Sequence, residues 1–318
     1  MYKDGFFAAN DVNAANISKI SEKQSFAEEQ RICELSELAD SAADFAVSMA
    51  GDGYGIYEIL SLIADGMYLD GMLFHSSIQR ENAERISSYL KMVGVFDKIV
   101  FAELFAERIR SRGIIISEVD FLPTESGDET FTYVKNPLAD EAYDVFSQEF
   151  SNPRLSYAKN LSEAAKSVSD GECEYALLPL EERGGARLSA VAELLFKEDL
   201  RINSVTPVFG FEGLVDMKYA LISKHFTVPN FLADDDRYLE IRLRADSSIP
   251  LSELFFAADA LGCSVYRVNT ISFDTEDGPL PYYSVVFRDI GKDFTMLLVF
   301  LTVFSGAYTP VGIYKNLE

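Results

Sequence analysis

Two short stretches of the sequence carry side chains that could hold or protonate an anionic substrate. The first is Pro179-Leu180-Glu181-Glu182-Arg183, which places two carboxylates side by side, and the second is Met217-Lys218-Tyr219. Lys218 supplies a positive charge for a carboxylate, but an ammonium group lacks the two-pronged geometry of a guanidinium. Met217 has no proton to donate, so general-acid chemistry has no source at that position.

Other kinds of active site find little support in the sequence. Cys33, Cys173 and Cys263 are widely separated and show no Cys-x-x-Cys spacing, so they predict neither a disulfide framework nor a zinc site. His75 and His225 are isolated, and we predict no metal and no cofactor. The net charge of −23, from 51 acidic against 28 basic residues, argues against binding to nucleic acid or to an anionic membrane.

The two stretches lie in a region where strands alternate with helices. Strands are predicted at 130–134, 155–158, 175–180, 201–207 and 217–223. Asn136 caps a helix that has Pro137 at its first position, and Asn160 caps the next helix, with Glu163 three residues later. This alternation predicts right-handed crossovers and a parallel, buried sheet.

The pattern of apolar residues in the N-terminal region predicts a set of packed helices. Residues 1–15 are predicted to be a lead-in, after which a capping box of Ser25 and Glu28 opens a helix that ends at Gly51. Further helices are predicted at 54–64 and 78–92, and a fourth is predicted to be capped by Asp97. Their apolar residues recur every three or four positions, which indicates a scaffolding or oligomerisation role.

The N-terminus lacks the pattern of a signal peptide, and no apolar run reaches the roughly 18 residues that cross a bilayer. The sequence therefore predicts a cytoplasmic protein without a membrane segment.

The C-terminal region has the element order of a small α+β module. Residues 238–245 alternate apolar and polar side chains, which predicts a half-buried antiparallel strand. A helix (251–261), two strands (265–273 and 282–288), a helix opened by Asp293 and a final strand (309–314) follow, giving the βαββαβ order of a ferredoxin-like fold. The helix at 294–304 is apolar almost all round, so we predict that a second subunit covers it in a homodimer.

The Pro-x-Glu turn and the strands around it resemble part of a prephenate dehydratase. Those enzymes carry Pro-Ile-Glu-Asn-Ser and then Gly-Ser. This chain matches the Pro and the first Glu in Pro179-Leu180-Glu181 but departs from the pattern in Glu182-Arg183 and Ala186-Arg187. The family's catalytic Thr-Arg-Phe corresponds to Met217-Lys218-Tyr219. Its Gly-rich loop corresponds to Lys135-Asn136-Pro137-Leu138, which has no glycine.

These departures matter for the chemistry that the resemblance implies. In the family, the Thr hydroxyl is associated with the leaving group, the Arg binds a substrate carboxylate, and a second lobe inserted before the catalytic strand closes the cleft. Here only the nine residues 208–216 are available for that lobe, which suffices for a loop. The resemblance therefore implies one lobe, half of a periplasmic-binding-protein-like fold, without dehydratase catalysis. The degenerate catalytic positions are Glu181, Glu182, Met217, Lys218 and Tyr219.

The C-terminal module resembles the ACT domain that closes these enzymes and binds phenylalanine. The family's Gly-Ala-Leu turn corresponds to Ile249-Pro250-Leu251, and its Glu-Ser-Arg-Pro motif corresponds to Asn269-Thr270-Ile271-Ser272. The resemblance implies an aromatic amino-acid ligand and pairing of two copies through this module. The implied ligand-binding residues are Ile249, Pro250, Leu251, Asn269 and Thr270.

These observations predict an α+β multidomain protein. Its parts are a helical region (1–126), a dehydratase-like α/β lobe (127–229) and an ACT-like regulatory domain (237–318). The predicted function is a regulatory, interaction or amino-acid-sensing role linked to aromatic amino-acid metabolism, without dehydratase activity. Two alternatives stay open at this point. One is an active prephenate dehydratase whose second lobe comes from a partner or from the dimer. The other is a module that binds another small ligand at the ACT dimer interface.

Overall fold

The computed structural model describes residues 5–65, 77–122, 124, 127–210, 213–227, 237–247, 249–275, 278–291, 293–305 and 308–315. For residues 5–27, 65, 77–80, 82, 274 and 275 it describes the backbone alone.

The N-terminal region consists of four helices and a short 3-10 turn in its described part. These are α1 (Gly5–Gly51), α2 (Ile56–Asp65), α3 (Ser77–Leu90), α4 (Val95–Ser111) and the turn Glu118–Asp120. The prediction that a capping box at Ser25 and Glu28 starts the first helix is wrong, because α1 is already helical at Gly5. The sequence contains neither Gly nor Pro between residues 6 and 50, so nothing interrupts the helix earlier. None of the helices in the described ranges is both long and apolar enough to span a bilayer.

Helix α4 is attached to α1 by ion pairs. The prediction that Asp97 caps α4 is wrong, because the helix begins at Val95 after Gly94. The carboxylate of Asp97 is instead buried and paired with Arg31 of α1. At the other end of α4, Arg112 reaches Asp40 at 3.1 Å and Asp44 at 2.8 Å.

The middle region forms a mixed sheet rather than the wholly parallel one that was predicted. Its elements are β1 (Thr130–Val134), α5 (Pro137–Ser147), β2 (Arg154–Ala158), α6 (Leu161–Ser169), β3 (Tyr175–Glu182), α7 (Ser189–Lys197), β4 (Arg201–Phe209) and β5 (Val215–Ser223). Strand β1 pairs in parallel with β2 and β3, whereas β5 lies antiparallel between β3 and β4. The reason is that β4 and β5 are joined directly, and a short connection allows only antiparallel pairing.

The C-terminal region has the predicted βαββαβ order. Its elements are β6 (Tyr238–Arg244), α8 (Leu251–Ala260), β7 (Cys263–Thr275), β8 (Gly278–Asp289), α9 (Thr295–Phe304) and β9 (Tyr308–Tyr314). The strands pair antiparallel in the order β9-β6-β8-β7. Both helices belong to the large apolar core on one side of this sheet.

The middle and C-terminal regions share one sheet. Strand β4 pairs in parallel with β9 at Ile202 and Gly312, so the described strands form a single sheet of nine. A Cβ added to Gly312 would lie 2.9 Å from the Cβ of Ile202, so this close approach depends on glycine.

The apolar helix α9 is covered by the chain's own N-terminal helices. Every residue of α9 except Met296 is buried, and α2 and α4 pack against it. The rings of Phe101 on α4 and Phe304 on α9 meet edge to face at 6.3 Å. The reason given for a homodimer was therefore wrong, because this helix needs no second subunit to cover it. The homodimer itself stays a prediction.

Candidate functional site

The structure brings together the two stretches that the dehydratase resemblance singles out, 179–183 and 217–219. They lie on the adjacent antiparallel strands β3 and β5, with an irregularity between Pro179 and Glu181. The paired residues are Pro179 with Tyr219, Glu181 with Lys218, and Glu182 with Met217.

Strands β4 and β5 form a hairpin at the point where the resemblance implies a second lobe. Strands β4 and β5 stay in register as far as Phe209 and Val215, and the N–H of Gly210 donates to the carbonyl of Leu214 at 2.8 Å. Of the nine residues 208–216, which were predicted to form a loop, 208–209 and 215–216 continue the two strands, and 211–212 lie outside the described residues.

Tyr219 is a buried packing residue whose side chain makes one polar contact among the described residues. Its hydroxyl donates to Oδ1 of Asn136 at 3.4 Å, and the same oxygen accepts from the N–H of Ala139 at 3.0 Å as the cap of α5. Burial raises the pKa of Tyr219, and the contact with Asn136 offsets this only in part. The phenol therefore stays protonated at neutral pH.

Glu181 is held by three cations. Its side chain is 7 % exposed, and Arg267 of β7 binds both of its carboxylate oxygens, the longer contact being 3.4 Å. Lys218 lies 3.5 Å from Oε2 and Arg187 lies 3.5 Å from Oε1. The carboxylate of Glu181 is therefore surrounded by positive charge.

Arg187 links this cluster to a second buried carboxylate, Glu240 of β6. Arg187 donates to Oε2 of Glu240, while Ser284 donates to Oε1 at 3.0 Å and the hydroxyl of Tyr314 lies 3.4 Å from Oε2. Burial lowers the pKa of Arg187, but the charges of Glu240 and Glu181 outweigh it, so the pKa stays above its ordinary value. We call Glu181, Arg187, Lys218, Glu240 and Arg267 the lobe joint.

Little space remains beside the lobe joint. The cavity next to Glu181 and Lys218, which Tyr238, Tyr266 and Tyr314 help to line, measures about 10 Å³. That is room for about one water molecule, whereas pockets for small molecules measure roughly 300–1,000 Å³.

A second buried cluster attaches the N-terminal region to the C-terminal sheet. Arg237 binds both carboxylate oxygens of Glu118, at 2.7 and 3.1 Å, and lies 3.4 Å from Asp289. Glu118 also accepts from the backbone N–H of Phe294, just before α9, at 2.7 Å. We call Glu118, Arg237 and Asp289 the helix joint.

The structure separates the predicted ligand-binding residues into two places. Asn269 and Thr270 line a cleft of about 410 Å³ between α7 and β7, which we call the module cleft; Arg187 lines it as well. The turn Ile249-Pro250-Leu251 lies at the start of α8 and does not line this cleft, and Ile249 is buried in the apolar core.

A pocket of about 440 Å³ lies where the helical region meets the sheet, and we call it the seam pocket. It has no signature in the sequence, because its walls come from distant parts of the chain. It is lined by Tyr57, Val119, Asp120, Phe121, Leu122, Arg201, Tyr308, Thr309 and Pro310.

Strand β6 is buried on both faces near the lobe joint, so the prediction that it is half-buried is wrong for Glu240 and Arg242. Glu240 is 3 % exposed and Arg242 is 7 % exposed. The guanidinium carbon of Arg242 lies 4.9 and 5.4 Å from the ring centres of Phe196 and Phe273. In the described part of the chain it has no ion pair. Burial lowers the pKa of Arg242 to about 10.

Two cations of the lobe joint, Arg187 and Arg267, were missed as site residues for different reasons. Arg187 stands where the dehydratase pattern has Gly-Ser, so the sequence did signal a change at this place. Arg267 gave no signal, because nothing local predicts which strand will lie beside Glu181. The described residues contain no group of three His, Cys, Asp or Glu side chains arranged to hold a metal.

Comparisons with known proteins give weak likenesses. No family model and no curated protein matches the chain. Among solved structures, the prephenate dehydratase of Streptococcus mutans is 12 % identical, with 59 % of this chain and 99 % of that chain covered and a TM-score of 0.47. A prephenate dehydratase from Arthrobacter aurescens in complex with L-Phe is 13 % identical, with coverages of 58 % and 90 % and a TM-score of 0.42. GqqA, described as a novel type of quorum-quenching acylase, is 16 % identical, with coverages of 59 % and 96 % and a TM-score of 0.42. The chain is thus similar to prephenate dehydratases in structure, but likenesses at this level assign it neither a family nor an activity.

Proposed function

We propose that this chain is a prephenate-dehydratase-like regulatory protein that senses an amino acid and does not catalyse dehydration. The observation that carries the proposal is the lobe joint. The position where the resemblance would place catalysis holds Glu181 saturated by three cations, beside a cavity of only about 10 Å³.

The chemistry of dehydration fits this arrangement poorly. The reaction expels hydroxide and carbon dioxide from prephenate, so it needs a proton donor and free cations for two carboxylates. Met217 supplies no proton, and Lys218 is already within 3.5 Å of Glu181. Among the described residues, 208–210 and 213–216 belong to a hairpin that provides no opposing wall to enclose a substrate.

A regulatory role is supported by how the regions are connected. The proposed ACT-like module (237–318) is tied to the proposed lobe (127–229) by the lobe joint and to the proposed helical region (1–126) by the helix joint. A ligand that alters the module therefore acts on both neighbours. We place the protein in the cytoplasm and assign it an aromatic amino acid as ligand.

The homodimer is part of the proposal and now depends on a different surface. Strand β7 is the last strand at its end of the described sheet, and such an edge offers unpaired backbone groups to a second copy. Sedimentation of the purified chain measures this directly, and a monomer at all concentrations would remove the dimer from the proposal.

The absence of catalysis is tested by incubating the full chain with prephenate and following phenylpyruvate by its absorbance. We expect no rate above that of buffer, while an authentic dehydratase run in parallel gives product. Any activity must be checked in Lys218→Met. Activity that this variant abolishes would overturn the proposal, whereas activity that it retains identifies a contaminant.

The sensing role is tested by titration calorimetry and thermal unfolding with L-phenylalanine, L-tyrosine, L-tryptophan and L-alanine. A ligand at 100 times its Kd stabilises the folded state by about 2.7 kcal/mol, so an aromatic amino acid should raise Tm clearly. No heat and no Tm shift with any of the four would contradict amino-acid sensing.

A further inference from the structure

We propose that the amino acid binds in the seam pocket, with its carboxylate on Arg201 and its ammonium group on Asp120. This inference rests on the proposed function and names the site of that function. It differs from the positions that the ACT resemblance implies, since neither the turn at Ile249 nor the strand at Asn269 lines this pocket.

Arg201 is suited to hold a carboxylate. Its side chain is 11 % exposed, and in the described part of the chain only Nη1 donates, to Asp199 at 2.7 Å and to the carbonyl of Leu200 at 3.3 Å. Nε and Nη2 are left for a ligand. The buried guanidinium of Arg242 also interacts with the charges of Arg201 and Asp199. Two positive groups therefore share the carboxylate of Asp199, which is largely exposed to solvent.

Asp120 is suited to hold an ammonium group. Its Oδ2 accepts from the backbone N–H of Ser117 at 2.7 Å and from the Ser117 hydroxyl at 3.0 Å. Among the described contacts, none uses Oδ1. Asp120 and Arg201 line the same pocket, yet no ion pair within 4.0 Å joins them. Because the two opposite charges line one pocket without pairing with each other, a zwitterion between them can pair its carboxylate with Arg201 and its ammonium group with Asp120.

The rest of the wall suits a large apolar side chain. Tyr57 stands at the rim, 44 % exposed, and Phe121 and Tyr308 also line the pocket. The hydroxyls of Tyr308 and Thr302 are hydrogen-bonded at 3.0 Å, so the Tyr308 ring is fixed in place. The volume of about 440 Å³ lies within the usual range for small-molecule pockets, roughly 300–1,000 Å³.

The module cleft is the alternative site, but the charged side chains Arg187 and Glu193 that line it are already paired with other residues of the chain. Arg187 is 8 % exposed at its side chain and is bound to both Glu181 and Glu240. Glu193 is paired with Lys197 at 2.7 Å. A zwitterion in that cleft would have to displace existing partners, whereas in the seam pocket it finds unused donor and acceptor atoms.

The seam pocket also gives the N-terminal helices a role in sensing. Its walls come from α2, from residues 119–122 after Glu118 of the helix joint, and from β4 and β9. The last two contribute close to their pairing at Ile202 and Gly312. A ligand bound there would fasten the helical region to the sheet where the middle and C-terminal regions meet.

The test is titration calorimetry on the full chain with L-phenylalanine, 3-phenylpropionate and 2-phenylethylamine. The last two each lack one charge of the amino acid, so each should bind at least about tenfold more weakly, as expected when a hydrogen bond to a charged group is lost. Arg201→Gln and Asp120→Asn should weaken L-phenylalanine by a similar factor, whereas Asn269→Ala in the module cleft should leave it unchanged. Far-UV circular dichroism shows whether each variant is folded.

A fluorescence readout covers the case in which a charge variant does not fold. The chain contains no tryptophan, so Tyr57→Trp introduces a single reporter at the rim of the pocket. Its emission should shift on addition of L-phenylalanine, while that of Phe256→Trp, on the exposed side of α8, should not.

The outcomes separate the two proposals. L-phenylalanine binding that survives both charge variants overturns the seam pocket but leaves amino-acid sensing intact, and its loss in Asn269→Ala would move the site to the module cleft. An analogue with only one charge that binds as tightly as L-phenylalanine likewise overturns the zwitterion site. No binding of any amino acid to the unmodified chain overturns the proposed function itself.

Discussion

The lobe joint and the helix joint connect parts of the same chain with opposite balances of charge. The lobe joint sets three cations against two carboxylates, Glu181 and Glu240. The helix joint sets one cation, Arg237, against the two carboxylates of Glu118 and Asp289. The helix joint is buried throughout, whereas in the lobe joint the two carboxylates are buried and Lys218 and Arg267 are partly exposed.

The difference shows which group each joint depends on. In the helix joint a single guanidinium neutralises two carboxylates, whereas in the lobe joint each carboxylate has more than one donor. Buried ion pairs contribute little net stability compared with apolar residues of the same size, but removing one partner alone is costly because it strands the other charge. Substituting methionine for one arginine at a time should therefore rank the joints by the number of charges left without a partner.

The largest effect is expected for Arg237→Met. It leaves the carboxylates of Glu118 and Asp289 buried near each other without a cation, so we expect a loss of about 5 kcal/mol in the free energy of unfolding. Urea unfolding followed by far-UV circular dichroism measures it.

The matched control for Arg237→Met is Arg183→Met. Arg183 is 60 % exposed and lies 3.5 Å from Asp216, so its removal should cost at most about 1 kcal/mol. If the two variants lost equal stability, burial of the helix joint would not be what makes Arg237 important.

A smaller loss, about 3 kcal/mol, is expected for Arg187→Met in the lobe joint. Glu181 keeps Arg267 and Lys218, and Glu240 keeps the hydroxyls of Ser284 and Tyr314. The same urea experiment measures the loss.

The double variant Arg187→Met/Glu240→Leu tests whether this loss comes from the unpaired charge of Glu240. It removes the stranded carboxylate together with its cation, so it should recover part of the lost stability. A double variant that is less stable than Arg187→Met would contradict the view that the loss comes from the unpaired charge of Glu240.

Local features of this fold could be predicted from the sequence. The caps Asn136 and Asn160 accept from the backbone N–H groups of Ala139 and Glu163 at 3.0 and 2.8 Å, as their spacing predicted. The strands around them and the βαββαβ order also follow from short-range patterns of apolar residues. These predictions hold because a cap or an alternating strand depends on neighbours within a few residues.

Features that depend on distant residues could not be predicted. Arg242 follows the polar alternation of β6, yet α7 and β7 bring aromatic rings over it. Helix α9 is as apolar as expected, but its cover comes from helices about 200 residues earlier in the chain rather than from a second subunit. The charged groups of the candidate site likewise meet only because β3, β6 and β7 come together in the folded chain.

The smallest effect, and the opposite sign, is expected for Arg242→Met. Arg242 is as buried as the joint arginines but has no ion pair in the described part of the chain, so its removal strands no carboxylate. We expect the free energy of unfolding at pH 7 to rise by about 1 kcal/mol. Burial lowers the pKa of Arg242 to about 10, below that of an arginine in the unfolded chain. The charged form therefore destabilises the native protein at every pH below about 10, and this penalty fades as the pH rises through that value. The advantage of Arg242→Met over the unmodified protein should accordingly be constant from pH 6 to pH 9 and shrink above about pH 10.

A loss of 3 kcal/mol at pH 7, equal to that expected for Arg187→Met, would show instead that Arg242 compensates the charge of Glu240 and belongs to the lobe joint.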